Sequence, residues 1–316
     1  MAEKGQVNCH CCSGNCRKSG SYRNRNRLVQ RYACDRCGKS FSESQPLDGL
    51  RVDFDKACQV VHMLCESVGI RPIERLTGLS RPTVLTVLET AGQKAADFLN
   101  ERVHDVRTNW IQADEVHGFV FSKQINTDAD DVDRGEQFTY LALANDSKLI
   151  INWLVGKRTR ENALEFMTQL KRRVTGDFQL ATDGWKIYSG RTGAVATVFG
   201  QSIDYGTETK YFGTPRLPYL PRKLIGMRRH RVSGNPDLKK STICHAERSN
   251  LTLRTFTRRL TRCTLGYSKK LENLRHSIAL FVWHYNFCRV HSSLGKTPAQ
   301  AAGLTDRVWT IKDLLS

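Results

Sequence analysis

Three acidic residues stand where they could do chemistry together. Asp114 ends the apolar run WIQAD and Asp183 ends FQLATD. Glu247 opens a basic stretch of helical character, CHAERSNLTLRTFTRRL, whose other charges are Arg248, Arg254, Arg258 and Arg259. An acid at the tip of a β-strand is placed to bind a ligand at a sheet edge. Singly, such a residue is more often a turn former or cap, and a glutamate in a first helical turn simply complements the helix dipole. Together the three suggest divalent-metal chemistry. Phosphodiester cleavage in nucleic acid commonly uses two metal ions about 4 Å apart. Magnesium takes oxygen ligands and keeps several waters, so a few carboxylates suffice. On that expectation Asp114, Asp183 and Glu247 hold two magnesium ions, for which manganese may substitute, and the neighbouring arginines hold phosphates.

A second group of ligand-type residues lies near the N-terminus, in CHCCSGNC and RYACDRCGKSF. Cys9 and Cys12 form one C-x-x-C knuckle and Cys34 and Cys37 another, with Cys11 and Cys16 competing for the first. Two such knuckles supply the four soft ligands of a tetrahedral structural zinc. Tyr32 and Phe41 are able to pack beneath, and a segment so poor in aliphatics folds only around a metal. The total of 11 cysteines is odd, which fits metal binding in a reducing compartment better than a disulfide framework.

These groups need elements to position them. In DKACQVVHMLCESVGIRPIERLTGLSRPTVLTVLETAG, apolar residues recur at three and four positions, which predicts three short helices. The second is followed by a tight Thr77-Gly78-Leu79 turn. Ser80 then caps the third, with Pro82 in its first turn. That is the layout of a helix-turn-helix, whose second helix reads DNA bases through its N-terminal residues. Arg81, Thr83 and Thr86 are the candidate readers, against the alternative of a plain three-helix packing unit.

From 108 to 200 the pattern changes to short β-rich runs, WIQAD, FTYLALAN, KLIINWLVG, FQLATD and AVATVFG. The segment 205–242 is rich in Pro, Gly, Lys and Arg and reads as an inserted basic arm or loop, and helical periodicity returns beyond it. The loop TDADDVDRGE lacks the ligand and glycine positions of a calcium loop and reads as a solvated hairpin turn. Trp185 could stack on a flipped base or pack in the core.

The whole chain of 316 residues carries a formal charge of +18. An excess of that size favours an extended polyanion as partner. With no run of about 18 apolar residues and no apolar signal-like start, a membrane partner is not expected. A cytoplasmic, nucleoid-associated DNA binder is.

DEVHGFV at Asp114–Val120, TDGWKIY at Thr182–Tyr188 and ERSNLTLRTFTRRLTRCTLGYSK at Glu247–Lys269 resemble the DDE transposases of bacterial insertion sequences, most closely the insertion-sequence-one type. The resemblance covers residues 7 to about 275. It implies an RNase H-like α/β core with Asp114, Asp183 and Glu247 as the catalytic triad. Arg254, two helical turns after Glu247 and on nearly the same face, matches a basic residue that such enzymes often place there. His117 stands where relatives often carry an aromatic, and the arm before Glu247 is longer than in compact members. The tail NFCRVHSSLGKTPAQAAGL resembles an integrase-like motif, with Asn286, Arg289, His291 and Thr297-Pro298 in place.

The expected organisation is a zinc ribbon (1–46), a helix-turn-helix (47–104), an RNase H-like catalytic domain with its basic insertion (105–275) and a helical tail (276–316). The expected function is transposition. The N-terminal domains bind the terminal inverted repeats, and the metal site cleaves double-stranded DNA ends and transfers them to target DNA. A homodimer or larger assembly forms on the paired ends. Arg81, Thr83, Trp185, Arg248, Arg258, Arg259, Arg262 and Lys269 are the expected DNA contacts. The alternatives are a non-catalytic DNA-binding regulator derived from such an enzyme and an RNase H-like structure-specific nuclease.

Overall fold

The computed structural model describes residues 9, 12, 14–23, 28–42, 47, 50, 52–215 and 222–316. Cys11 lies outside them. The order of elements begins with β1 (Cys16–Arg23), β2 (Leu28–Cys34) and β3 (Ser40–Ser42), then helices α1 (Phe54–Cys65), α2 (Ile70–Thr77) and α3 (Arg81–Arg102). The central part contains β4 (Trp110–Val120), β5 (Gly135–Ala144), β6 (Ile150–Gly156), α4 (Arg160–Arg173), β7 (Gln179–Asp183), α5 (Ala194–Phe199), β8 (Asp204–Phe212) and β9 (Leu224–Ser233). Helices α6 (Cys244–Phe256), α7 (Leu271–Trp283), α8 (Pro298–Ala301) and α9 (Ile311–Leu315) follow. The class is mixed α/β. No helix among the described residues is long and apolar enough to cross a membrane.

Strands β1–β3 form a small antiparallel sheet in which Tyr32 stands opposite Phe41, their rings stacked at 5.9 Å. The main sheet has six strands among the described residues, in the order β6-β5-β4-β7-β8-β9. β4, β5 and β6 are an antiparallel meander, β7 and β8 run parallel to β4, and β9 returns antiparallel to β8. Successive residues of a strand face opposite sides of the sheet. Asp114 meets Asn250 of α6, and the next residue, Glu115, lies beside Tyr188 of the β7–α5 connection. Helical and irregular layers therefore cover both faces.

The turn chemistry around α2 and α3 follows the sequence. Gly78 takes the left-handed conformation at φ 70° that ends α2, and the Ser80 hydroxyl accepts from the Thr83 N–H. The third helix is not short, however. It runs 22 residues because Val84, Val87, Leu88, Ala91, Ala95 and Leu99 continue the buried stripe. That stripe packs on α7, and Gly92 lets the two helices approach. A Cβ there would lie 2.4 Å from the Cβ of His276 and 2.7 Å from its backbone. Residues of α1–α3, the sheet and the C-terminal helices thus share one continuous hydrophobic core.

Two other expectations are corrected. AVATVF forms α5 rather than a strand, since a short apolar run does not distinguish the two and Gly193 and Gly200 bound it at helix-end positions. The basic arm is not a loop. It carries β8 and β9, with Tyr205–Phe212 paired against Leu224–Ser233, and only 213–215, 222–223 and 234–242 of its described residues are irregular. Residues 216–221 of that arm lie outside the described residues.

In the C-terminal tail, Asn286, Thr297 and Gln300 serve packing and capping. The buried Asn286 accepts from the Ile150 N–H at 3.0 Å and donates to its carbonyl at 2.9 Å, covering the edge of β6. Thr297 and Gln300 form a reciprocal capping box on α8.

Candidate metal centres

The N-terminal cluster is built by two turns brought together across β1 and β2. Cys9, Cys12, Cys34 and Cys37 present their sulfurs within 4.8 Å of one another, with Cys9–Cys37 at 3.6 Å and Cys12–Cys34 at 3.5 Å. Cys16 turns away toward the Gly14 carbonyl at 3.6 Å. Cys34 accepts backbone N–H groups from Cys37 and Arg36, each at 3.4 Å. These donors, Cys37 first, hold its thiol down at about 6 despite the opposing effect of burial. An all-sulfur set of four fits a structural zinc.

The second centre rests on the parallel pairing of β4 with β7. Ala113 is in register with Thr182, so Asp114 and Asp183 follow side by side. Asp183 is the last residue of β7, but Asp114, expected at a strand tip, lies within β4, which continues to Val120. Carboxylate oxygens of Asp114, Glu115 and Asp183 lie within 4.8 Å of one another, and this group could hold a cation. Asp114 accepts from the Asn250 side chain at 2.7 Å, and Asp183 accepts from the Trp185 backbone N–H at 2.9 Å.

Burial governs the electrostatics here. It pushes Asp114 up to about 7, opposed by the Glu115 backbone N–H and reinforced by the charges of Asp183 and Glu247. Burial likewise pushes Glu115 up to about 7, with Asp183 adding to the effect. One guanidinium compensates part of this crowding. Arg158 Nη2 lies 3.0 Å from Glu115 and 3.2 Å from Asp183, while its plane sits 4.4 Å from the Trp185 ring centroid. Glu115 is only 3% exposed at its side chain, and the nearby Tyr188 hydroxyl, which favours its charged form, leaves Oε1 without a fully formed hydrogen bond. An oxygen-only donor set with an unsatisfied buried carboxylate oxygen fits a hard divalent cation such as magnesium.

Glu247 stands differently from the expectation. It lies on α6 close enough for its charge to raise Asp114, but it is outside the three-carboxylate group, and its Oε2 pairs with Lys210 of β8. The third carboxylate of the group is Glu115, which the sequence reading passed over. Strand alternation assigns Asp114 and Glu115 to opposite faces. Only beside the end of β7, where Asp183 reaches both, do the two come together. Gln112 fixes α6 against β4, its buried carbonyl accepting from the backbone N–H groups of His245 at 2.9 Å and Ala246 at 3.0 Å.

Arg254 is half-buried, and the Asp114 charge acts on it. Arg248 is exposed at the far end of the first turn of α6. Arg81 is tied to Glu74, 3.2 Å from its carboxylate, and Thr83 shares a 2.8 Å hydroxyl contact with Ser80. Trp185 is partly packed, edge-on to Tyr188 at 5.0 Å. Arg81, Arg258, Arg259 and Lys269 line one cleft between α2–α3 and the segment after α6, and Arg262 lines the adjoining one with Arg254 and Arg259. No protein-family model matches the chain, and no curated protein matches it either.

Proposed function

We propose that the chain is a DNA transposase of the DDE type, as its resemblance to insertion-sequence enzymes implies, with an RNase H-like core formed around the six-stranded sheet. The observation that carries this reading is the convergence of Asp114 and Asp183 from neighbouring parallel strands into a partly buried oxygen-ligand cluster. Asp114, Glu115 and Asp183 would hold magnesium, with Glu247 completing the set from α6 once Lys210 releases it. Bound ions would activate the attacking oxygen and stabilise the leaving one. Asn250 orients Asp114, Gln112 fixes the helix that carries Glu247, and Arg254 places a positive charge beside the carboxylates for a strained phosphate. The cysteine cluster and the capped α2–α3 turn would recognise terminal inverted repeats, and a dimer would bring two ends together.

The test is strand cleavage and joining by the purified protein, with magnesium or manganese and DNA from the flanks of its own gene. Wild type is compared with Asp183→Asn and Glu247→Gln. Activity in wild type and none in variants that still bind DNA supports the reading. Equal activity in all three overturns it. A non-catalytic DNA-binding regulator is the second reading, favoured by one observation: Glu247 is held by Lys210 rather than by the cluster. Sequence-selective binding without cleavage by wild type would establish it.

A further inference from the structure

Beyond the carboxylates, β4 ends in an aromatic residue held in an unusual way. Phe121 has φ 65°, a left-handed conformation that is costly for a bulky side chain, and its ring is 48% exposed. The backbone keeps it there: Val120 bridges Ser268, and the Phe121 N–H donates to the Ser268 carbonyl at 2.9 Å. The ring is flanked by cations, with the Arg134 guanidinium 4.5 Å and the Lys269 ammonium 6.0 Å from its centroid. Lys269 also lies 3.9 Å from the ring of Tyr267, which packs at 4.6 Å on Phe119. Strain of this kind persists where the surroundings enforce it, and it gathers at sites that bind.

Phe121 and Tyr267 open on a cavity of about 930 Å³ whose charged lining residues are Lys123, Arg254, Arg259 and Arg262, with no Asp or Glu among them. A second cavity, toward α2 and α3, shares Arg259, Leu265 and Tyr267 with the first, and it too has no acid in its lining. The two adjoin at those shared residues. Together they extend from the start of α3, past Phe121 and the half-buried Tyr267, to Arg254, on which the Asp114 charge acts.

We propose that this groove is a path for an unpaired DNA strand, with Phe121 and Tyr267 as stacking platforms and Arg258, Arg262 and Lys269 along the phosphates. It rests on the reading of the chain as a DNA-processing enzyme, and adds the form of the substrate. A duplex hides its base faces, so cations alone would serve it. An exposed Phe121 and a half-buried Tyr267 between cations match a strand whose bases are free to stack. The groove would guide a frayed end from the sequence-reading helices to the carboxylates.

The experiment is fluorescence anisotropy on a blunt duplex and on the same duplex with a short single-stranded thymidine extension. Wild type is measured beside Phe121→Ala, Phe121→Leu and Phe121→Tyr, without metal. Because Phe121 is half exposed, its loss opens no core, and Phe121→Leu keeps the volume while removing the π face. Wild type and Phe121→Tyr are expected to prefer the extended duplex by about tenfold. Phe121→Ala and Phe121→Leu should lose most of that preference and keep the blunt-duplex affinity. Equal binding of both DNAs by wild type overturns the strand path and leaves the transposase reading standing. So does a parallel loss on both DNAs in the variants. No DNA binding by wild type overturns both.

Discussion

The chemistry of the carboxylate cluster depends on which cations balance it, and Arg158 is the first of these. It bridges Glu115 and Asp183, where a divalent ion would also sit. Replacing it by glutamine removes the partner of a buried carboxylate, a loss that typically costs about 3–5 kcal/mol when the charge stays. Without metal, Arg158→Gln should therefore melt lower than wild type. It should also gain more thermal stability on adding manganese and bind it several-fold tighter by calorimetry, because the competitor is gone. Weaker manganese binding would make Arg158 a supporting residue instead of a competitor. The same burial sets a pH dependence. Burial pushes Asp114 and Glu115 up to about 7 in the folded protein, from ordinary values of 3.8 and 4.5. Between those limits the folded state holds more protons than the unfolded chain. Their contribution to stability is thus present below about pH 4 and is lost as the pH rises through 7. Metal-free protein should lose stability from pH 5 to about 7.5 beyond what its Asp114→Asn variant loses, and saturating manganese should reverse that fall. Identical slopes in wild type and variant would place the titration elsewhere.

At the scale of elements, position is set by a few hydrogen bonds and close approaches. Gln112 is 1% exposed and accepts from the first turn of α6 twice. Gln112→Ala should destabilise the protein by about 1–3 kcal/mol, the cost of stranding buried donors. On the proposed function, DNA cleavage should fall with it, while manganese affinity, set mainly by Asp114, Glu115 and Asp183, changes little. Gly92→Val, at the α3–α7 crossing, should cost about 1–3 kcal/mol or more in urea unfolding through overpacking. These elements were unequally legible in the sequence. The Gly78 and Ser80 signals carry local chemistry, so the α2–α3 turn could be placed from them. Asp114 and Asp183 stood out as acids closing apolar runs. The length of α3 was underestimated because its second half is polar on one face and its partner, α7, lies far along the chain. The β8–β9 hairpin was hidden by its Lys and Arg content, since an edge strand exposed to solvent needs little apolar patterning. Glu115 was missed because alternation along β4 argues against its joining Asp114, and only the pairing of β4 with β7 reveals Asp183 between them.

For the whole molecule, the cysteine cluster and the main core answer separate problems. Among the described residues from 9 to 42, only Cys9, Val29 and Cys34 are buried, too little apolar surface to hold three strands together. None of them belongs to the main core, whose buried members begin at Leu47. A metal held by these cysteines would supply folding free energy for that segment alone. A strong zinc chelator should therefore release one metal ion per chain and collapse the amide signals of residues 9–42, while the thermal transition of the rest stays in place. If those three strands help to read terminal repeats, the stripped protein should lose selectivity for them. On the proposed function, it should keep affinity for DNA in general, because most of the +18 charge lies outside residues 1–46. That residual binding should fall steeply with salt, and neutralising Arg258 or Arg262 should each reduce the slope by about 1. Loss of the whole thermal transition on chelation would show that the two cores are coupled. Retained selectivity would assign sequence reading to α3 alone, where Arg81 and Thr83 stand at the exposed helix start.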